Sequence, residues 1–340
     1  YARFTANGLE SRSTSEVLSD IGASAVAGSS SIVTTGALDA GSITSNFGNI
    51  NNGSSTLTTG ALTASSGAIP ALTTVTNINS GQIANRNMVY NGAMSVAQRA
   101  TSASGLGATH GYYTLDRWNF IEPTANGASA QAGRFTMSQV ADGPSGFVHS
   151  LKMDCTTADT SIASTEVLIL NQRFEGNDLL RFKKGTADAE QVTVSFYVKG
   201  NASATYVCEL YDADNNRNNT QAFSVTTSWN RIELTFAADT TGAFGGDNAL
   251  SLYLNIWLHG GSDFTGGTFA SNTWASVTNA NRYAGSRTSF FDSTDRTFFI
   301  TGVQMEVGAT ATNFEYKSFS EELAACQRYC IKIAPATNAG

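Results

Sequence analysis

The chain has 340 residues, enough for a full core plus an accessory part, and its formal net charge is −7 with only 14% charged residues. This composition, without a basic patch, argues against nucleic acid as a partner. No apolar run approaches the roughly 18 residues of a membrane span, which argues against membrane insertion. The chain begins at Tyr1 without Met or a visible signal peptide, which indicates a fragment or processed form of a longer protein.

The first predicted element is a short helix within residues 1–22. Ser13 followed three residues later by Glu16 matches a capping box, and Gly22 supplies a stop. The apolar face between them consists of Val17, Leu18 and Ile21. A helix of about two to three turns is marginal alone, so packing of this face in a multimer is expected.

Residues 23–85 read as a fibre shaft. Of these 63 residues, 46 are Gly, Ala, Ser, Thr or Asn, and the phrase TTGAL begins at Thr34 and again at Thr58. Single apolar residues recur at short intervals along the stretch. The predicted shaft core comprises Leu38, Ile43, Phe47, Ile50, Leu57, Leu62, Ile69, Leu72, Val75 and Ile78. One copy has too few apolar side chains for a core, but parallel copies could bury them around a shared axis.

A flexible Ser/Thr/Gly linker is the alternative interpretation of the same stretch. Disordered segments tend to be rich in charge and proline and poor in β-branched residues. This stretch has β-branched residues at regular intervals, one charge (Asp39) and one proline (Pro70). The composition therefore favours an ordered, intertwined, β-rich shaft.

Residues 86–317 are predicted to form an antiparallel β-sandwich, with a jelly roll as the expected arrangement. Aromatic and charged residues return here, and short runs alternate between polar and apolar side chains. These strand-like runs cover residues 191–200, 205–211, 229–236, 250–258 and 297–306. Turns rich in Gly, Asn, Asp and Ser join them, as in sandwiches of about eight or more strands.

A second short helix is predicted in residues 318–340. Ser318 and Glu321 match another capping box, and three residues of the helix share one face. That face comprises Leu323, Cys326 and Cys330. A disulfide between two cysteines spaced i, i+4 on a helix would be strained, so free thiols and assembly in a reducing cytosol are expected.

Metal and cofactor sites are not predicted. Besides Cys326 and Cys330 the chain has Cys155 and Cys208, without a CxxC pair, and its three histidines are scattered. Residues 212–218 carry oxygen ligands like a calcium loop. They lack the glycine at position six and the glutamate at position twelve, where Phe223 stands. A turn between two strands is the better interpretation.

Four segments resemble bacteriophage tail fibre proteins. Residues 41–50 followed by 53–56 resemble shaft repeats, and residues 12–22 resemble the segment that often precedes them. Residues 301–315 resemble the last strand of fibre tip domains, and residues 322–329 resemble the short end motif of the same proteins. The chain departs from that end motif at Cys330, where a second aromatic residue is usual.

The resemblance implies a homotrimeric tail fibre of the virion, assembled in the host cytoplasm. Its N-terminal side would join other phage tail or baseplate proteins, and its C-terminal tip would bind a bacterial surface receptor, expected to be a glycan. Three tips on one shaft would turn weak contacts into avidity. Two alternatives remain: a structural fibre segment that docks another tail protein, and a tail spike that degrades polysaccharide.

A sugar-binding tip needs aromatic rings that stack on sugars and polar groups that reach hydroxyls. Trp274, in the polar loop 260–274, is the first candidate, although it could instead pack this loop onto the sandwich. The further receptor-binding candidates are Tyr283, Tyr112 and Tyr113. The three tryptophans in strand-like runs, Trp118, Trp229 and Trp257, are predicted to belong to the core.

Catalytic residues are not predicted. A glycosidase needs two carboxylates across a cleft, and the chain offers two local pairs, Glu175 with Asp178 and Asp292 with Asp295. Both pairs lie in turn-rich sequence, where acidic residues are ordinary. Neither a Gly-x-Ser-x-Gly elbow nor a plausible Ser/His/Asp set is visible. The sequence favours a binding protein over an enzyme.

Overall fold

The computed structural model describes residues 2–6, 8–20 and 85–333. They belong to two compact units, one within Tyr1–Ala71 and the other within Leu72–Gly340. All ten predicted shaft core residues, from Leu38 to Ile78, lie outside the described residues. The packing of the shaft therefore stays a prediction.

The first unit contains a hairpin followed by a helix. The hairpin pairs β1 (Ala2–Thr5) with β2 (Gly8–Ser11), and α1 spans Thr14–Asp20. Glu16 donates its backbone N–H to the Ser13 hydroxyl at 3.3 Å, and its carboxylate accepts the Ser13 N–H at 2.8 Å. The predicted capping box is confirmed. The hairpin was not predicted, because strands of four residues carry too little alternation to recognise.

The second unit is built from two six-stranded antiparallel sheets. The first sheet has the order β13-β10-β9-β12-β7-β4 and the second has the order β11-β8-β14-β6-β5-β3. The strands are β3 (Ser102–Leu106), β4 (Asn119–Ile121), β5 (Arg134–Val140), β6 (Ser150–Thr157), β7 (Val167–Glu175), β8 (Val192–Gly200), β9 (Ala204–Asp212), β10 (Arg217–Val225), β11 (Asn230–Phe236), β12 (Leu250–Gly260), β13 (Ala275–Ser276) and β14 (Thr297–Val307). The five runs predicted as strands correspond to β8, β9, β11, β12 and β14. The predicted turn at residues 212–218 joins β9 to β10.

Short helices occupy some of the connections and the end of the described chain. They are 3-10 turns at Pro123–Asn126, Gly176–Phe182 and Asn279–Asn281, and α-helices α2 (Ser262–Thr265) and α3 (Phe319–Gln327). None of the helices in the described ranges combines the length and apolar content needed to cross a membrane.

Eight of the strands pair as a jelly roll. The first of these eight strands along the chain pairs with the last, the second with the second to last, and so on. The four pairs are β6 with β14, β7 with β12, β8 with β11, and β9 with β10. This nesting alternates the chain between the two sheets, as in a jelly roll. The predicted antiparallel sandwich with jelly-roll connectivity is confirmed.

The core lies between the two sheets and is rich in aromatic rings. Phe196 of β8 and Phe223 of β10 meet edge to face with ring centroids 5.1 Å apart. Tyr206 of β9 meets Phe298 of β14 in the same way at 5.6 Å. Such pairs stabilise a core beyond the area they bury, by about 0.5–1.5 kcal/mol each. They also fix which face of each strand points inward.

The C-terminal helix has its predicted cap, and the cysteines are unpaired. Ser318 and Glu321 form both halves of a capping box, while the helix ends before Cys330 rather than including it. All four thiols are free. Burial raises the pKa of Cys155 to about 11 and that of Cys326 to about 12. These two thiols are protonated at neutral pH, so they act as small apolar groups of the core.

Candidate binding face on the first sheet

The outer face of the first sheet carries an unusual set of side chains. Along β12, Leu252 and Leu254 point into the core, whereas Tyr253 and Asn255 point outward, because successive side chains alternate. The same alternation turns Tyr211 of β9 outward. Along β12 the outer face is therefore aromatic and polar, and the inner face is aliphatic.

Five polar residues lie in direct cross-strand register on this face, and we call them the asparagine row. In spatial order they are Asn119 of β4, Asn171 of β7, Asn255 of β12, Glu209 of β9 and Thr220 of β10. All five are buried. Both amide atoms of Asn171, and the Oδ1 atoms of Asn119 and Asn255, have no hydrogen-bond partner. Since buried polar atoms are nearly always paired, ordered water is the expected partner of these amides.

Glu209 anchors the row as a buried, ionised carboxylate. Its two oxygens accept hydrogen bonds from Arg282 at 2.8 Å each, and from Asn218, Asn255 and the Trp257 indole at 2.7–2.8 Å. Burial by itself would raise the pKa of Glu209, but the Arg282 guanidinium and these hydrogen bonds hold that pKa below its usual range. Glu209 is thus suited to positioning its neighbours and not to donating a proton.

A second row lies beside the first one, and we call it the tyrosine row. It consists of Arg173 of β7, Tyr253 of β12, Tyr211 of β9 and Asn218 of β10, again in direct register. The rings of Tyr211 and Tyr253 lie 5.6 Å apart, inclined at 38°. The guanidinium groups of Arg173 and Arg282 lie 5.5 and 5.2 Å from the Tyr253 and Tyr211 ring centroids, respectively. Both tyrosines are half-buried, so each ring keeps part of its surface in solvent.

A cavity of about 490 Å³ adjoins the tyrosine row. Its lining residues include Tyr211, Asn216, Asp263, Phe264, Asn279 and Arg282. The Tyr211 hydroxyl donates to the Asn216 side chain at 3.3 Å. The volume is within the range of small-ligand sites, and the lining combines rings with amide and charged groups.

Tyr112 and Tyr113 lie near the opposite end of the same sheet. Tyr112 lines two cavities of about 190 and 210 Å³ together with Arg117 and Tyr329. Tyr113 instead stacks on Phe120, with ring centroids 5.3 Å apart, and packs against the core. Of this pair, Tyr112 therefore lines both of these cavities, whereas Tyr113 belongs to the packing around the core.

The other two receptor candidates are engaged in packing. Tyr283 is 2% exposed, stacks on Trp257 with 5.9 Å between ring centroids, and donates its hydroxyl to Thr288. A ring in this position has no face for a ligand, so the prediction of Tyr283 as a receptor contact needs correction. Trp274 donates its indole N–H to the Ala237 carbonyl at 2.7 Å and packs against the core, which matches the alternative of a loop anchor.

Of the three tryptophans predicted in the core, two are there. Trp118 and Trp257 are fully buried. Trp229 is only partly buried, and the prediction for it is wrong. It precedes β11, lies against Phe299 on the outer face of the second sheet, and donates its indole N–H to Asp142 at 3.2 Å. Trp229 immediately precedes β11, so the sequence pattern included it in the strand.

Three carboxylates of the two local pairs that were considered and rejected as catalytic have partners. Glu175 accepts hydrogen bonds from Arg328 and from the Tyr329 hydroxyl. Asp178 accepts from the Tyr90 hydroxyl at 2.9 Å, and Asp292 forms an ion pair with Arg296. These contacts neutralise or orient the carboxylates locally and do not aim a pair of them across a cleft.

One arrangement of catalytic residue types was missed from the sequence. His259 contacts the Ser289 hydroxyl through Nδ1 at 2.8 Å and the Glu166 carboxylate through Nε2 at 3.2 Å. His259 is fully buried and packs edge to face on Phe291, while the Ser289 oxygen also accepts the Phe291 N–H. The three side chains thus satisfy one another inside the fold, as a buried polar network does.

Asp212, the first residue of the rejected calcium loop, has a lysine partner. The Lys184 ammonium lies 2.6 Å from Asp212 Oδ2 and 3.1 Å from Asp239 Oδ2, and it donates to the Thr241 and Gly242 carbonyl oxygens. Lys184 is buried, as are both aspartates. A single ammonium thus compensates two buried carboxylates beneath the β9–β10 turn, with Arg217 pairing Asp239 from the other side.

Sequence reasoning missed the tyrosine row, although a signal for it was present. In the run 250–258 the residues Tyr253, Asn255 and Trp257 fall on one face and the aliphatic residues on the other. An aromatic and polar face opposite a leucine face indicates a surface with a binding role. What the run could not indicate was the partner strand that supplies Tyr211.

Comparisons with known proteins find distant structural matches and show no family. No protein-family model matches the chain, and no curated protein matches it in sequence. A structure described as a CBM4 aligns with 64% of this chain and 97% of its own, at 12% identity and a TM-score of 0.34. A family 11 carbohydrate-binding module from Clostridium thermocellum, in complex with a mixed-linked tetrasaccharide, aligns with 63% of this chain and 99% of its own, at 11% identity and a TM-score of 0.30.

A phage protein is also among the similar structures. The enzymatically active domain of tailspike protein 4 from bacteriophage CBA120 aligns with 65% of this chain but only 21% of its own, at 10% identity and a TM-score of 0.30. Alignments with identities and TM-scores this low are too distant to indicate a function. The function has to be argued from the residues of this chain.

Proposed function

We propose that this chain is a bacteriophage tail fibre segment whose sandwich domain binds a glycan of the bacterial surface on the outer face of its first sheet. The observation that carries the binding proposal is the tyrosine row, with Tyr211 and Tyr253 side by side and partly exposed. Two neighbouring rings can stack on apolar faces of consecutive sugars. The adjoining amides and arginines can hydrogen-bond to hydroxyls.

The surroundings of the rings support a preorganised site. Glu209 holds Arg282, Asn218 and Asn255 in place through hydrogen bonds of 2.7–2.8 Å. Side chains that are already ordered lose little conformational entropy when a ligand binds, which favours affinity.

The tail fibre part of the proposal depends on the sequence resemblance described above. A repetitive shaft in residues 23–85 would unite three chains, and the virion would present three sandwich domains together. Adhesion by several weak sites gives avidity without a tight single site. We therefore propose adhesion rather than catalysis, with other tail or baseplate proteins as partners on the N-terminal side.

The test is binding of the full chain to bacterial cells and to a printed panel of neutral and acidic oligosaccharides. We expect Tyr211→Ala and Tyr253→Ala each to weaken binding about tenfold or more, since each removes a stacking ring. The matched control is Tyr316→Ala, which removes an exposed tyrosine that packs on Phe314 away from this face. Melting temperatures of all variants verify that they fold.

The outcomes separate the alternatives. Binding that survives both tyrosine substitutions would contradict the assignment of this face. A protein that binds no cell and no glycan but captures another tail protein would favour the docking alternative. Release of new reducing ends from bacterial polysaccharide would establish the degrading tail spike instead.

A further inference from the structure

Two arginines with no carboxylate partner meet at one end of the tyrosine row. Arg117 donates a hydrogen bond from its guanidinium to the backbone carbonyl of Arg173. Among the described residues neither guanidinium forms an ion pair, whereas most other arginines of the sandwich do. The Nε atoms of both are buried without a hydrogen-bond partner. Arg117 is buried and Arg173 is half-buried. Since a buried guanidinium without a counter-charge is costly, Arg117 in particular favours an anionic partner.

Both arginines line the same cavity of about 210 Å³. Its other lining residues are Tyr112, Phe174, Glu175, Asn248, Leu250 and Tyr329. Glu175 is the acidic side chain among them, and it is already bound by Arg328 and Tyr329. The cavity therefore keeps an excess of positive charge in a protein whose net charge is −7.

The backbone at Arg117 is also unusual. Its φ is +71°, in the left-handed region that residues with a bulky side chain rarely adopt. The guanidinium contacts two rings, with its carbon 3.5 Å from the Tyr329 centroid and 5.0 Å from that of Tyr90. Strain of this kind persists where the surroundings impose it, and it is concentrated at functional positions.

From these contacts we infer that the glycan of the proposed site carries an anionic group, a carboxylate or a phosphate, which binds in the cavity between Arg117 and Arg173. The inference depends on the proposed glycan-binding function and deepens it. Arg173 belongs to the tyrosine row and lies over Tyr253. A sugar stacked on Tyr253 can therefore place its acidic substituent against Arg173. Guanidinium groups bind carboxylates and phosphates through charge-assisted hydrogen bonds, which fits two neighbouring guanidinium groups that lack an ion-pair partner among the described residues.

The test uses titration calorimetry of the full chain with three probes: glucose, glucuronate and glucose 6-phosphate. We expect glucuronate or glucose 6-phosphate to bind about tenfold or more tightly than glucose, since a charge-assisted pair is added. Comparison of the two acidic sugars distinguishes a carboxylate from a phosphate as the preferred group. The preference for acidic sugars should fall as salt is added.

Substitutions of Arg173 test whether the preference for acidic sugars arises in this cavity. Arg173→Gln should abolish the preference for acidic sugars, and Arg173→Lys should keep part of it, because the charge remains but the paired donors are lost. Arg231→Gln on the second sheet is the control, since it removes the same charge from a residue paired with Glu233. If Arg173→Gln unfolds, Arg173→Lys still tests the inference, because a folded lysine variant should show a weaker preference for acidic sugars.

Failure of this inference is distinct from failure of the proposed function. Equal affinity for glucose and the acidic sugars, or no measurable binding of the acidic sugars, would overturn the anionic assignment. A preference that survives Arg173→Gln would place the anion elsewhere and overturn it too. In either case, neutral glycans whose binding depends on Tyr211 and Tyr253 would still support the glycan-binding function.

Discussion

Both carboxylate oxygens of Glu209 accept hydrogen bonds from the Arg282 guanidinium, each at 2.8 Å, at a position where Glu209 is fully buried. Two strands and a connecting segment meet at this pair, because Glu209 lies on β9, Asn255 on β12, and Arg282 follows the 3-10 turn at Asn279–Asn281. The pair thus joins the segment between β12 and β14 to the outer face of the first sheet. It also orders the polar groups beside the tyrosine row.

Replacing Glu209 should therefore destabilise the sandwich strongly. Glu209→Gln leaves the Arg282 charge buried without a counter-charge, and breaking such a pair costs about 3–5 kcal/mol. The control is Glu233→Gln, which breaks the half-exposed pair with Arg231 and should change stability little. Urea unfolding followed by tryptophan fluorescence measures both. Equal midpoints for the two variants would show that the buried pair does not hold the segment.

The same carboxylate predicts a loss of stability in acid. The pKa of Glu209 is lower in the folded protein than in the unfolded chain, so the unfolded state binds more protons as the pH falls. The stability contributed by Glu209 is complete above the unfolded pKa of about 4.3 and is lost as the pH falls through the folded value. Urea midpoints between neutral and strongly acidic pH should fall less steeply for Glu209→Gln than for the unchanged protein. If the urea midpoints of the two proteins fall equally with pH, Glu209 does not contribute to the loss of stability in acid.

Lys184 and its neighbour Lys183 offer a matched pair of substitutions. Lys184→Met removes the ammonium that compensates Asp212, while Asp239 keeps its ion pair with Arg217, and leaving the Asp212 carboxylate buried without a counter-charge should cost about 3–5 kcal/mol. Lys183 pairs with Glu190 at the surface, and Lys183→Met should have little effect. Thermal unfolding of both variants measures the difference. If both melt like the unchanged protein, the buried cluster contributes no net stability.

The predicted shaft makes the assembly state measurable. If residues 23–85 form a shared core, light scattering behind a sizing column should give about three times the chain mass of 35.7 kDa. A monomer mass would mean that residues 23–85 act as a flexible linker between the N-terminal segment and the sandwich. In that case a single binding site without avidity would have to account for adhesion.

Much of the sandwich is predictable because its signals are local. Alternation in residues 250–258 predicts β12, and the serine–glutamate spacing at Ser13 and Ser318 predicts both capping boxes, since each depends on neighbours within a few positions. Tyr283 was misjudged for the opposite reason. Its burial depends on stacking against Trp257, a contact that no local pattern indicates.

By itself the sequence determined the strand periodicity, the helix caps and the face of each strand that turns away from the core, because these follow from backbone geometry over a few residues. Only the tertiary structure decided that β12 lies between β7 and β9, so that Arg173, Tyr253 and Tyr211 form one row. It also decided that Arg117 reaches Arg173. Strand order depends on the total burial of both sheets, which is a property of the whole chain and is not encoded in any one segment.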